Sequence, residues 1–149
     1  MKKVVIGGTF DILHEGHRAL LRNAFELGEV TIGLTSDAMA RAVKGREVKD
    51  FLRRKKELED FIEKEFKVTP KILKIEDKFG PTLTDDFDCI VVSPETYNTA
   101  LLINQERQRR GKNHLEIIKI DFVLAEDGQP ISSNRIYKGE INGEGRMLS

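Results

Sequence analysis

Residues 3–17 read KVVIGGTFDILHEGH, an apolar run that breaks into glycines and then into a loop with two histidines. Lys3 to Ile6, closed by Gly7 and Gly8, has the pattern of a buried strand that ends in a tight loop. The loop opens into a segment where Ala19, Leu20, Leu21, Ala24, Phe25 and Leu27 recur on one side of a helical period, with Gly28 as a stop in the C′ position. Val30 to Leu34 reads as the second strand. Strand, helix, strand predicts a parallel pair joined by a crossover.

The same pattern continues along the chain. Thr35, Ser36 and Asp37 offer caps for a short helix towards Val43, and the polar stretch from Lys44 to Asp50 is a loop. Phe51, Leu58, Phe61, Ile62 and Phe66 mark an amphipathic helix, and Lys71 to Ile75 a third strand. After a break at Gly80 and Pro81, Cys89 to Val92 is a nearly all-apolar fourth strand of the kind found inside parallel sheets. Tyr97 to Arg110 fits a helix closed by Gly111, Leu115 to Val123 a fifth strand, and a short helix follows Pro130. With no repeat, low-complexity segment or linker, residues 1–149 read as one α/β domain, a Rossmann-like, doubly wound, five-stranded parallel sheet. Ligands of such sheets sit beyond the carboxyl ends of the strands, so the loops after Ile6, Leu34, Val92 and Val123 are expected to converge on one crevice.

Composition narrows the function classes. One Cys among 149 residues excludes an internal disulfide and any all-cysteine metal site, which points to the reducing cytoplasm. No apolar stretch of about 18 residues is present and the N-terminus lacks a signal-peptide pattern, so no membrane span is expected. Lys plus Arg number 25 against 25 Asp plus Glu, a balance that predicts no general attraction to nucleic acid or anionic membrane. Charge is nevertheless uneven. Arg41, Lys44, Arg46, Lys49, Arg53, Arg54, Lys55 and Lys56 face only Glu47 and Asp50 within one segment. Such a run is either a solvated face or a seat for a small polyanion.

The chemistry concentrates in the first loop. His14 and His17, three apart at a helix N-terminus, stand where unpaired N–H groups and the positive end of the dipole favour an anion. That position lowers an imidazole's proton affinity and leaves neutral hydrogen-bond donors. Gly7, Gly8 and Gly16 allow phosphate or a flat base to approach the backbone. A metal pair would need further ligands, and the one remaining histidine, His114, lies on a distant polar stretch. A purely structural pair of capping histidines also fits the spacing. Neither GxGxxG nor GxxxxGK[ST] occurs, so the chain is not an ordinary dehydrogenase or P-loop kinase.

GTFDILHEGH at positions 8–17 resembles the GTFDxxHxGH signature of the HxGH nucleotidyltransferase superfamily, and Ile131 to Arg135, ISSNR, resembles its second, ISSTxxR-type motif. Between them stand Asp77, Gly80 and Pro81 as DxxGP, then Ser93, Glu95 and Thr96 as SxET, then Asn104, Arg107 and Gly111 as NxxRxxxG; RIxxGEI follows from Arg135 to Ile141. The set spans nearly the whole chain and is similar to the archaeal and eukaryotic branch of the phosphopantetheine adenylyltransferases.

The resemblance implies that ATP and 4′-phosphopantetheine give dephospho-coenzyme A and pyrophosphate, with Mg²⁺ held mainly by the ATP phosphates. It implies ATP contacts from Gly7, Gly8, Phe10, His14, Gly16, His17, Glu95, Ser132, Ser133 and Arg135. His17 would stabilise the transition state, assisted by His14. Thr9 would position the attacking phosphate, Lys44 or else Lys49 would bridge the two reacting phosphates, and Arg54 would support the acceptor. Ser132, Ser133 and Arg135 would hold the β- and γ-phosphates. Asn134 departs from the usual threonine. A cytidylyltransferase for a phosphorylated alcohol would carry RTxGIST, where this chain has Asp127, Gly128, Gln129, Pro130 and Ile131 before Ser132. FMN and nicotinamide mononucleotide adenylyltransferases, a non-catalytic coenzyme A sensor and an RNA-binding module are rival functions on the same fold. The sequence leaves the oligomeric state open, a homo-oligomer included.

Overall fold

A computed structural model describes residues 1–148. Five strands, β1 (Lys2–Gly8), β2 (Gly28–Thr35), β3 (Lys71–Ile75), β4 (Cys89–Val92) and β5 (Glu116–Lys119), form one sheet in the order β3-β2-β1-β4-β5. Every pairing is parallel, with Val4 opposite Val30 and Cys89, and Ile6 opposite Ile32. The helices are α1 (Glu15–Leu27), α2 (Asp37–Lys44), α3 (Phe51–Phe66), α4 (Tyr97–Arg109) and α5 (Ser133–Tyr137). A turn of 3-10 helix, Gly80–Leu83, follows β3 and has no counterpart in the element order expected from sequence.

Side-chain alternation along the strands builds a core on each face. Val4, Ile6, Cys89 and Val91 pack with Leu21 and Ala24 of α1 and Leu58 and Ile62 of α3. Val5, Ile90 and Val92 face the other way and pack with Ala100 and Ile103 of α4 and with Leu115. The chain winds outward from β1 to β3 and then returns to β4 on the other side of β1. That reversal opens a crevice at the carboxyl ends of β1 and β4.

Two expectations change. β5 ends at Lys119 rather than Val123, because Val123 leaves the sheet to accept a hydrogen bond from Ile131 N–H at 2.9 Å. The excursion it begins carries a small core of its own, Ala125, Ile131 and Ile141. Gly28 does not cap α1 in a left-handed conformation; it is the first residue of β2, with φ 164°. A Cβ there would come within 2.1 Å of the Lys2 carbonyl oxygen, so glycine is required by the close approach of β1.

Candidate active site

β1 delivers the chain into the loop 9–14, and α1 begins with its histidines. His14 is the N-cap, and its Nδ1 accepts from the Gly16 N–H at 3.0 Å. His17 Nδ1 accepts from the His14 N–H at 3.3 Å, and the rings stack with centroids 3.9 Å apart. Glycine between them is needed for space: a Cβ on residue 16 would stand 2.7 Å from His14 Cε1. Since each Nδ1 is an acceptor, each neutral ring carries its proton on Nε2. Burial, followed by the Lys44 charge, lowers the His14 pKa to about 4. Burial, then His14 and Lys44, holds His17 well below the usual range.

These shifts predict an acid weakness. Unfolded histidines titrate near pH 6.5, so between that value and about 4 the unfolded chain binds more protons than the folded one, and stability rises with pH across this window. It is lost as pH falls from about 6.5, at up to ~1.4 kcal/mol per pH unit for each ring. Denaturant melts at pH 7, 6 and 5 should show the slope, and His14→Gln should flatten it.

Thr9 lines the crevice, and its hydroxyl accepts from the Thr35 hydroxyl at 3.0 Å. Beneath it lies Arg54, fully buried on α3. Its guanidinium donates to the carbonyls of Thr9 and Lys49 at 3.1 and 2.8 Å, to the Thr35 hydroxyl at 3.3 Å and to the Asp37 carboxylate at 2.9 Å. The expectation that Arg54 supports the acceptor phosphate is therefore corrected: it points into the protein and holds Thr9 in register with α2 and β2. Arg54→Met removes these hydrogen bonds from a buried site and is expected to cost about 2–4 kcal/mol in denaturant unfolding.

The crevice encloses a cavity of about 430 Å³. Gly7, Gly8, Thr9, Phe10 and His17 line one wall, Lys44 the lip of α2, and Glu95 the segment after β4. Phe10 sits at φ 48° with its ring 4.9 Å from that of His17. Lys44 has its pKa lowered by burial, against which the charge of Glu95 works. Lys49, the second candidate, is turned away and pairs with Glu57 at 2.8 Å. His14 and Gly16 stand behind His17 rather than on the wall, their polar atoms engaged with each other.

The fourth wall differs from the sequence expectation. It comes from residues 78–82, after β3, and not from the loop after Val123. Arg107 of α4, itself buried, secures this wall by donating to the Thr82 carbonyl at 2.6 Å and to that of Asn113 at 2.7 Å. Most of the basic run also has a different fate from the one expected. Arg53 joins Lys49 on Glu57, Lys56 pairs with Asp60, and Arg46 pairs with buried Asp11 at 2.7 Å. Of that run, Lys44 alone lines the cavity.

The second motif forms α5, next to the crevice lip but off the cavity wall. Ser132 caps the helix, accepting from the Arg135 N–H at 3.2 Å. Ser133 is buried, and its hydroxyl finds no partner among the described residues; the same holds for Arg46 Nη2. Arg135 is bound to Asp127 at 2.6 Å, to Glu140 and to the carbonyl of Pro130, so its guanidinium stitches the 127–130 loop to α5 instead of facing the cavity. Among the described residues no three carboxylate, histidine or cysteine side chains are grouped to hold a metal ion, and no helix is long and apolar enough to cross a membrane.

A parallel sheet with its crevice at the strand reversal, a neutral histidine pair at the first helix and a lysine opposite define an HxGH-type nucleotidyltransferase scaffold. Comparison with known proteins agrees: the family described as Cytidylyltransferase-like matches residues 5–139. A phosphopantetheine adenylyltransferase of Archaeoglobus fulgidus is 47% identical over 98% of this chain and 99% of its own length, and one of Methanosarcina acetivorans is 49% identical over 99% and 96%. The chain belongs to the cytidylyltransferase-like family and, within it, to the phosphopantetheine adenylyltransferases. A crystal structure of an Archaeoglobus fulgidus protein described as of unknown function superimposes with a TM-score of 0.77 at 45% identity, covering 80% of this chain and 89% of that one.

Proposed function

We infer that the protein transfers the adenylyl group of ATP to 4′-phosphopantetheine, releasing pyrophosphate and forming dephospho-coenzyme A. The observation that carries the reading is the cavity on which Thr9, His17 and Lys44 converge, donors of different kinds around a space of about 430 Å³. A phosphate oxygen of the acceptor attacks the α-phosphorus, the bond from that phosphorus to the bridging oxygen breaks, and pyrophosphate leaves with the electron pair. No enzyme nucleophile is needed. The work of the protein is to hold two anions in line and to meet the charge that builds on the α-phosphate.

His17 Nε2–H is the donor to that phosphate, and Lys44 spans the acceptor and α-phosphates. Thr9, fixed by Arg54 and Thr35, orients the acceptor. Gly7, Gly8, Phe10 and Glu95 border the nucleotide, and the start of α5, where the Ser133 hydroxyl is unpaired, is the proposed seat of the distal phosphates, with Arg135 bracing that segment through Asp127 and Glu140. Divalent-cation dependence belongs to this class of ATP reaction; Mg²⁺ is the cation proposed, and it would be held mainly by the ATP phosphates. It would supply charge neutralisation there.

A pyrophosphate-release assay tests the assignment, with ATP or CTP against 4′-phosphopantetheine, FMN, nicotinamide mononucleotide and glycerol phosphate. ATP with 4′-phosphopantetheine is expected to be the productive pair. Turnover only with another pair overturns the substrate, and binding of ATP without turnover of any pair favours a sensor.

A further inference from the structure

We propose that Asn134 is a positioning residue for Lys44: anchored by Arg46, its side-chain amide grips the backbone at the end of α2 and so holds the lysine at the crevice. The inference rests on the reading of Lys44 as the residue that spans the reacting phosphates.

Lys44 is the last residue of α2, and its carbonyl is among those a helix end leaves without an intrahelical partner. The chain then turns away through Gly45 at φ 69°, with Val43 62% exposed and Gly45 open to solvent, so little packing fixes this end. Asn134 Nδ2 donates to the Lys44 carbonyl at 3.3 Å across 90 residues of sequence. Its Oδ1 accepts from Arg46 Nε at 2.8 Å. The amide has one workable orientation here, because a carbonyl only accepts and a guanidinium only donates. Arg46 is held in turn by Asp11 at 2.7 Å and lies 4.4 Å over the Tyr137 ring, while the second Asp11 oxygen accepts from Lys49 N–H at 2.9 Å. Asp11 belongs to the first motif, Lys44 to the end of α2 and Asn134 to the second motif. The amide therefore joins all three phosphate-handling segments. Threonine, with one shorter-reaching hydroxyl, does not offer the acceptor and the paired donor on a single planar group. That gives the departure at position 134 a physical purpose.

The test is a double-mutant cycle on kcat, with Lys44→Ala, Asn134→Ala and the double variant, each checked by thermal melting. Asn134→Ala is expected to lower kcat about tenfold in the parent and less than about twofold in the Lys44→Ala background, since coupled residues are non-additive. Asn134→Asp keeps the acceptor for Arg46 and loses the donor to Lys44, and should be as slow as Asn134→Ala. The same cycle on 4′-phosphopantetheine affinity by calorimetry gives a readout if Lys44→Ala turns over too slowly to follow. Equal losses in both backgrounds, or full activity in Asn134→Asp, overturn the proposal. A slow Lys44→Ala beside a fully active Asn134→Ala sinks this inference alone, whereas a fully active Lys44→Ala removes the reading beneath it.

Discussion

His17→Ala is expected to slow turnover by about a hundred- to thousandfold while changing ATP affinity far less. The asymmetry follows from the state of the ring. Its Nδ1 is occupied by the His14 N–H and its pKa is driven well below the usual range by burial, so what it offers the cavity is one neutral Nε2–H. A neutral donor adds little to binding a phosphate whose charge is already shared with other contacts. It adds more as negative charge grows on the α-phosphate during attack. Single-turnover kinetics and equilibrium ATP binding separate the two effects, and unchanged single-turnover rates would remove His17 from the transition state. Loss of the cap hydrogen bond also touches stability, by about 1 kcal/mol, which thermal melting will register independently.

Lys44→Ala is expected to be the second large effect, with kcat reduced about a hundredfold and binding of both phosphates weakened. Lys49→Ala supplies the contrast. Lys49 is tied to Glu57 away from the cavity, so its removal should stay within about threefold. If Lys49→Ala alone abolished turnover, the loop would have to rearrange on substrate binding and the assignment would reverse. Lys44 differs from an ordinary surface lysine in being partly desolvated, with Glu95 as its charged neighbour. Its ammonium thus enters the reaction with few competing partners.

Local signals in the sequence carry well where a single segment determines its own structure. The histidine cap, β3 and β4 depend on spacing, propensity and nearby partners, and these are readable residue by residue, whereas Gly7 and Gly8, expected in the loop, are the last two residues of β1. The basic run is legible as a cluster but not as a set of fates. Arg54 and Arg46 look from sequence like their neighbours, yet each meets a carboxylate brought in from another element, Asp37 and Asp11. Nothing local distinguishes a cation that will be spent inside the fold from one left at the crevice. Arg135 meets the same limit, its motif predicting phosphate and the tertiary structure presenting Asp127 first. The 3-10 turn at Gly80–Leu83 is not recognisable as a cavity wall because Gly and Pro signal a break without saying where the break will stand. Only the return of the chain from β3 to β4 and the grip of Arg107 place it there.

The stacked imidazoles also make nucleotide capture an acid–base event. A His14 pKa near 4 belongs to the free protein, where no anion is present to favour the imidazolium. As proposed, a triphosphate held beside the rings favours the imidazolium, so binding in mildly acidic solution is expected to draw protons onto the histidines. Part of the calorimetric heat of ATP binding will then belong to the buffer. Titrations in buffers of different ionisation enthalpy would count the protons taken up, and the same linkage makes affinity for the nucleotide strengthen as the solution turns mildly acidic, while the unliganded fold is growing weaker.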